Sequence, residues 1–130
     1  MRYQFLISAG AEEDLHECRR RDRYAAARIA TLLREISVDQ VACEALIDER
    51  EYEPAIESVS PLWSLQDQRI NAYRVRLVQV GAWRLITAVD HQKNRIALLG
   101  VMPRDDNYQE NAVLWARIEQ EYDGFDFPRY

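Results

Sequence analysis

Cysteine is scarce in this sequence, with two residues among 130. Cys18 and Cys43 belong to no C-x-x-C pair, and neither has histidines or further cysteines nearby at the spacing of metal ligands. Isolated cysteines of this kind are typically small buried side chains. We therefore predict no disulfide bond and no metal site, and we expect no cofactor.

Long apolar runs are also missing. Residues 96–102 form one of the longest, and they are far fewer than the roughly 20 residues that a membrane-spanning helix needs. Residues 1–10 (MRYQFLISAG) are followed by the acidic residues Glu12, Glu13 and Asp14 rather than by a cleavage site. We expect a cytoplasmic protein without a membrane partner.

The composition is that of a folded protein. Hydrophobic residues make up 48% of the chain and charged residues 30%, values far from those of a disordered chain. A chain of this length buries roughly two-thirds of the surface that its unfolded form exposes, which is enough for one core. Because no repeat or linker divides the sequence, we predict a single domain over residues 1–130.

Charge is distributed unevenly along the chain. The net charge is −5, an average that argues against a nucleic-acid partner. Residues 65–104, however, carry seven basic side chains against two acidic ones, whereas residues 1–64 and 105–130 each have a net charge of −5. The sequence thus predicts a basic surface on an acidic protein.

The N-terminal half is predicted to contain one strand and then two or three helices. Residues 3–7 are aromatic and branched, as in a strand, and a helical region follows with a break at residues 19–23, where Asp22 can cap the second helix. Residues 55–60 are either an edge strand or irregular chain, because prolines flank them. The apolar side chains at helical spacing, expected to face the core, are Ile29, Leu32, Leu33 and Ile36. Val38, Val41, Ala42, Ala45 and Leu46 repeat this spacing and predict a third short helix.

From residue 71 the hydrophobic period changes to that of strands. Residues 73–80, 83–89 and 95–102 predict a three-strand antiparallel meander. A final helix is expected to begin at Asp106 or Asn107 and to end at Gly124, and the aromatic tail after it is expected to fold back on the domain. The helix side chains expected to face inward are Val113, Ala116 and Tyr122.

The predicted fold class is α+β. A small antiparallel sheet, made of the N-terminal strand and the C-terminal meander, packs against two or three N-terminal helices, and a helix follows at the C-terminus.

This order of elements, together with residues 73–108 (YRVRLVQVGAWRLITAVDHQKNRIALLGVMPRDDNY), resembles the RelE family, in the RelE/ParE superfamily of toxins from type II toxin–antitoxin modules. Four features carry the resemblance. They are the basic pair Arg74 and Arg76, a G-x-W-R-L step at residues 81–85, a hydrophobic strand that ends near Arg104, and Tyr108. The resemblance hardly extends to residues 38–62.

The resemblance implies a ribosome-dependent mRNA endoribonuclease that a cognate antitoxin holds inactive. In this chemistry the ribose 2′-oxygen attacks the adjacent phosphate, which requires a base, positive charge at the phosphorane and an acid for the departing 5′-oxygen. The implied catalytic residues are Arg76, Arg84, Arg104 and Tyr108, of which Arg84 would stabilise the transition state, Arg104 would lie near the leaving group and Tyr108 would stack on a base. The candidate RNA-binding residues are Arg74, Arg69, Lys93 and Arg95.

Strand geometry allows this grouping. Arg74 and Arg76 are two residues apart and leave the same face of a strand, and Arg84 can reach that face across a hairpin. We expect Arg84 and Arg104 to face solvent, since guanidinium groups are costly to bury without an anion.

The basic pair also departs from the family, which usually has lysines there. An arginine does not give up its proton in a protein, so neither Arg74 nor Arg76 is a general base. His91, in a predicted hairpin turn, and His16, in the first helix, are weak substitutes. Either the base lies elsewhere or the protein binds its target without cutting.

Two other functions therefore stay open: a ParE-like inhibitor that binds DNA gyrase without catalysis, and a protein-interaction module of the same fold. Individual residues also have structural interpretations. Trp63, Trp83 and Trp115 are expected to pack in the core or at its rim rather than to stack on bases, and Tyr108 can simply anchor the last helix.

Overall fold

A computed structural model describes residues 3–48, 54–103 and 112–129 of the chain. Over these residues the elements are, in order, β1 (Gln4–Ile7), α1 (Ala9–Arg21), α2 (Arg23–Val38), α3 (Gln40–Glu44), β2 (Ile56–Pro61), α4 (Trp63–Gln66), β3 (Ala72–Leu77), β4 (Trp83–Asp90), β5 (Arg95–Pro103) and α5 (Ala112–Gly124). The predicted α+β class is confirmed.

The strands form one five-stranded sheet in the order β1-β5-β4-β3-β2. The predicted meander is β3-β4-β5. Of the two alternatives for residues 55–60, the edge strand is correct, because β2 pairs antiparallel with β3 at the edge of the sheet. The sheet is not wholly antiparallel, since β1 lies parallel to β5, with Gln4 beside Arg95 and Ile7 beside Leu98. The long excursion through α1, α2 and α3 supplies the crossover that a parallel pair requires.

Helices cover the sheet on both faces. On one face α1, α2 and α3 pack against apolar side chains that include Val75, Leu85 and Leu98, and we call this the helix-side core. On the other face α4, α5 and the C-terminal tail pack against side chains that include Ile86, Ala88 and Leu99, and we call this the tail-side core. The central strands are therefore buried on both sides, which explains the continuous apolar run in β5.

Polar side chains fix where the N-terminal helices begin. The amide of Ala25 donates to the carboxylate of Asp22 over 3.0 Å, which confirms the predicted cap of α2. Asp39 caps α3 by accepting from the amide of Val41. The third short helix that the spacing predicted is therefore present as α3. Val38 and Val41 are exposed, whereas Ala42, Ala45 and Leu46 are buried.

The inward face of α5 was predicted wrongly at two positions. Val113 and Ala116 are exposed, whereas Ile118 and Tyr122 are buried in the tail-side core. Polar contacts set this orientation: Arg117 donates to both carboxylate oxygens of Asp14 on α1, over 3.0 and 2.8 Å. The expected caps of this helix, Asp106 and Asn107, lie outside the described residues.

The C-terminal tail folds back, as predicted. Phe127 is buried against Tyr122, with ring centroids 5.4 Å apart. The hydroxyl of Tyr122 donates to the carbonyl oxygen of Pro128 over 2.6 Å. The tail is thus part of the tail-side core.

Both cysteines are buried in the helix-side core, as expected. Burial, reinforced by the nearby carboxylates of Asp22 and Glu44 respectively, raises the pKa of Cys18 and of Cys43 to about 11. Across the described segments, no helix combines the length and apolar character needed to cross a bilayer.

Candidate nucleic-acid-binding face

The strand register places Arg74, Arg76 and Arg84 on one face of the sheet. Arg76 on β3 lies directly opposite Arg84 on β4, and paired residues of antiparallel strands point to the same side. On the edge strand, Ser58 lies opposite Arg76 and Ser60 opposite Arg74. We call these five residues the arginine face.

The arginine face lies on the same side of the sheet as the tail-side core. Arg74 pairs with Ile86 and Arg84 pairs with Met102, and both apolar partners belong to that core. The helices and the tail cover the part of this side near Ala72 and Ala88. Among the described residues, the arginines therefore lie where the apolar cover ends.

The electrostatics of this face favour an anion. Arg76 and Arg84 carry like charges at directly opposed positions, an arrangement that destabilises a sheet. The Nε atom of Arg76 is buried and finds no hydrogen-bond partner in the described part of the chain, and no described carboxylate forms an ion pair with this residue. A bound anion would relieve both costs, and the planar guanidinium matches a phosphate well.

Arg84 is not solvent-facing, and that expectation was wrong. Its side chain is 5% exposed, and its Nη1 lies 3.3 Å from the carbonyl oxygen of Trp83 and 3.5 Å from that of Gly81. The side chain thus lies against the turn between β3 and β4, where Gly81 adopts a positive φ of 67°. Carbonyl oxygens there replace part of the hydration that the guanidinium loses.

Two predicted RNA-binding residues lie far from the arginine face. Lys93 and Arg95 belong to the β4–β5 hairpin, and six residues of strand, roughly 20 Å, separate that end of β4 from Arg84. Arg95 donates to Asp90 over 2.7 and 3.1 Å and to the carbonyl oxygen of Phe125 over 2.8 Å. These bonds hold the C-terminal tail in place.

The other predicted residues have different positions. Arg69 is exposed in the turn between α4 and β3, in the chain segment that leads into the strand of Arg74. Arg104 and Tyr108 lie outside the described residues. The structure therefore brings together Arg74, Arg76 and Arg84 from the predicted set.

Neither histidine lies at the arginine face. His91 is exposed in the β4–β5 hairpin, as predicted, and its Nδ1 is 3.1 Å from the hydroxyl of Tyr3. His16 is on α1, which packs against the opposite face of the sheet. Within the described ranges, no group of three or more His, Cys, Asp or Glu side chains could hold a metal ion.

A cleft of about 250 Å³ lies between α1, α5 and the ends of β4 and β5. The guanidinium of Arg21 lies 5.4 Å from the ring centre of Trp83, which is buried as expected, and the bonded pair of Asp14 and Arg117 forms part of the wall. Met102 lines this cleft and is also the partner of Arg84. The cleft thus adjoins the arginine face.

Sequence reasoning missed several of these features because they depend on register. The serines opposite the arginine pair come from β2, whose pairing with β3 is offset by a bulge between Ile56 and Ser58. The Asp14–Arg117 pair joins two helices that are distant in sequence. Neither contact leaves a local pattern in the chain.

No protein-family model matches the sequence, and no curated protein matches it. Solved structures that are similar to the chain include the archaeal RelE–RelB complex from Pyrococcus horikoshii, at 18% identity and a TM-score of 0.48, over 82% of this chain and 99% of that one. They also include the toxin–antitoxin complex RelBE2 from Mycobacterium tuberculosis, at 17% identity and a TM-score of 0.47, over 80% of this chain and 100% of that one. A third is the YoeB dimer from Staphylococcus aureus, at 20% identity and a TM-score of 0.48, over 77% of this chain and 94% of that one.

Proposed function

We propose that this chain is the toxin of a type II toxin–antitoxin module and cleaves mRNA on the ribosome. A cognate antitoxin would neutralise it by covering the arginine face. The observation that carries the proposal is the register of Arg76 opposite Arg84, with Arg74 on the same face, which brings three guanidinium groups to one side of the sheet. The motif at residues 73–108 supplies the reaction class.

Arginines at these positions supply charge and positioning rather than proton transfer. In the reaction, the 2′-oxygen of a ribose bonds to the adjacent phosphorus and the 5′-oxygen leaves, while negative charge accumulates on the phosphorane. Arg76 would donate to the phosphorane oxygens, and Arg74 would hold a neighbouring phosphate. The proton of the 2′-hydroxyl must pass to a base outside the arginine face, because an arginine keeps its own.

A second candidate function is inhibition by binding alone, as in a ParE-like inhibitor of DNA gyrase. The absence of both histidines from the arginine face favours it, since the described residues there include no imidazole that could act as a general base. The same surface charge would then serve only for docking. The two functions differ in whether mRNA is cut.

The deciding experiment is induced expression of the chain in a bacterial host, with primer extension on abundant mRNAs before and after induction. Growth arrest with new 5′ ends inside codons supports the nuclease. Arrest with intact mRNA favours the binding inhibitor, and growth without arrest contradicts both.

Two variants test the site in that assay. Arg76→Ala removes a guanidinium from the arginine face, and we expect it to abolish arrest and cleavage. Lys93→Ala removes the same charge from the distant hairpin and is the matched control. If Lys93→Ala abolishes the activity and Arg76→Ala leaves it intact, the arginine face is not the site.

A further inference from the structure

Trp63 is an exposed tryptophan, contrary to the expectation that it packs in the core or at its rim. Its side chain is 69% exposed, whereas Trp83 is 6% exposed. Tryptophan is normally among the well-buried residues, and a large exposed ring is often a contact for a partner. The position of this ring indicates which partner.

The backbone fixes Trp63 beside the arginine face. Ser60 lies opposite Arg74, and the amide of Leu62 donates to the carbonyl oxygen of Ala72 over 3.0 Å. Trp63 follows directly, three residues beyond Ser60, so its Cα lies roughly 11 Å from that of Arg74 by strand geometry. Trp63 therefore lies next to the end of the arginine face that Arg74 occupies, the end farther from Arg84.

The short helix α4 lies on the same side of the sheet as the arginines. Leu62 and Leu65, on either side of Trp63, are buried in the tail-side core, which occupies that side. The side-chain amide of Gln66 donates to the side chain of Asn71 over 2.9 Å and to the carbonyl oxygen of Ala72 over 3.0 Å. These contacts hold α4 against β3, so the exposed indole stands on a fixed support.

The surroundings of Trp63 are mixed in charge. Arg69 and Asp67 are both exposed in the turn that follows α4, and Arg74 lies on the neighbouring strand. An aromatic ring with arginines nearby matches single-stranded RNA, because phosphates contact the cations while an unpaired base stacks on the ring.

We propose that Trp63 is a stacking platform for an unpaired nucleobase of the RNA strand whose phosphates contact the arginine face. This inference rests on the proposed function and adds a residue that sets the path of the RNA. Stacking accepts any base, so Trp63 would contribute affinity without sequence preference.

The test is binding of a short unstructured oligoribonucleotide to the full chain at low ionic strength, followed by fluorescence anisotropy of the labelled RNA and by tryptophan emission. Loss of one stacked base predicts that Trp63→Ala weakens binding by roughly 5- to 150-fold. Trp63→Phe keeps an aromatic face and should restore most of the affinity. RNA should quench the tryptophan emission of the wild-type protein, and the quench should be lost in Trp63→Phe.

Tyr24→Ala is the matched control, because Tyr24 is also an exposed aromatic residue, on α2, which packs on the opposite face of the sheet. It should bind RNA as the wild type does. Circular dichroism establishes that each variant is folded.

The possible failures are distinguishable. If Arg76→Ala weakens RNA binding and Trp63→Ala does not, the stacking platform is refuted while the proposed function stands. If the wild type does not bind the oligoribonucleotide, the platform is refuted, and the primer-extension assay decides the function separately. If Trp63→Ala weakens binding of the purified antitoxin and not of RNA, the ring is a protein contact and the proposal is overturned.

Discussion

Replacement of Arg76 should make the protein more stable and inactive. Arg76 faces the like charge of Arg84, which costs roughly 0.2–1 kcal/mol in an antiparallel pair, and a buried donor without a partner costs roughly 1–3 kcal/mol. Arg76 is half-buried, so we take the low end of the sum. Arg76→Met keeps the unbranched stem and removes the guanidinium, and it should raise the free energy of unfolding by about 1 kcal/mol.

That gain corresponds to a rise in Tm of about 4 °C for a chain of this size, measurable by thermal unfolding followed by circular dichroism at low salt. Added inorganic phosphate should narrow the difference, because the anion binds the wild type and stabilises it. Arg95→Met is the control, and it should lower the stability instead of raising it. Arg95 pairs with the carboxylate of Asp90, which is 1% exposed, and removing this guanidinium should lower the free energy of unfolding by about 3 kcal/mol. A lower Tm for Arg76→Met than for the wild type would refute the argument from like charges.

Three further predictions concern the rest of the fold. Arg117→Ala breaks the bidentate pair with Asp14, in which both side chains are mostly buried, and should lower the free energy of unfolding by about 3 kcal/mol in urea titrations. Burial raises the pKa of Asp90, but hydrogen bonds from Arg95 and from two backbone amides outweigh it and lower the pKa below its usual range. Because the pKa of Asp90 is depressed, its ionised carboxylate stabilises the fold above about pH 4, and this stabilisation is lost as the pH falls below that value. Asp90→Asn should therefore flatten the acid limb of the plot of unfolding free energy against pH. Cys18 and Cys43 should resist a thiol reagent at neutral pH in the folded protein and react on unfolding, and rapid labelling of either residue in the native state would contradict their burial.

The sequence predicted the elements of the fold better than their mutual arrangement. Hydrophobic periodicity is local, so the meander and the break at Asp22 could be read directly from the chain. The parallel direction of β1 could not, because its partner strand β5 lies some 90 residues away and no local pattern specifies it. The orientation of α5 was missed for a related reason. It is set by the ion pair between Arg117 and Asp14, which lies on a helix distant in sequence.

The candidate site shows the same division. The spacing of Arg74 and Arg76 implied a shared face, and the register confirmed that Arg84 joins it. The burial of Arg84 and the exposure of Trp63 depend on what covers each position in three dimensions, and composition does not record that. Exposure is thus hardest to predict from sequence for large amphipathic side chains.

The pairing of the first strand with the last has a consequence for the order of folding. β1 has no ladder partner until Arg95 to Leu98 have been synthesised, and the amide of Ser8, at the start of α1, donates to the carbonyl oxygen of Leu98. Contacts of such high sequence separation slow folding, because the chain loses the entropy of closing a long loop before the hydrogen bonds between the two strands can form. The sheet is therefore completed late in folding, when β5 joins β1.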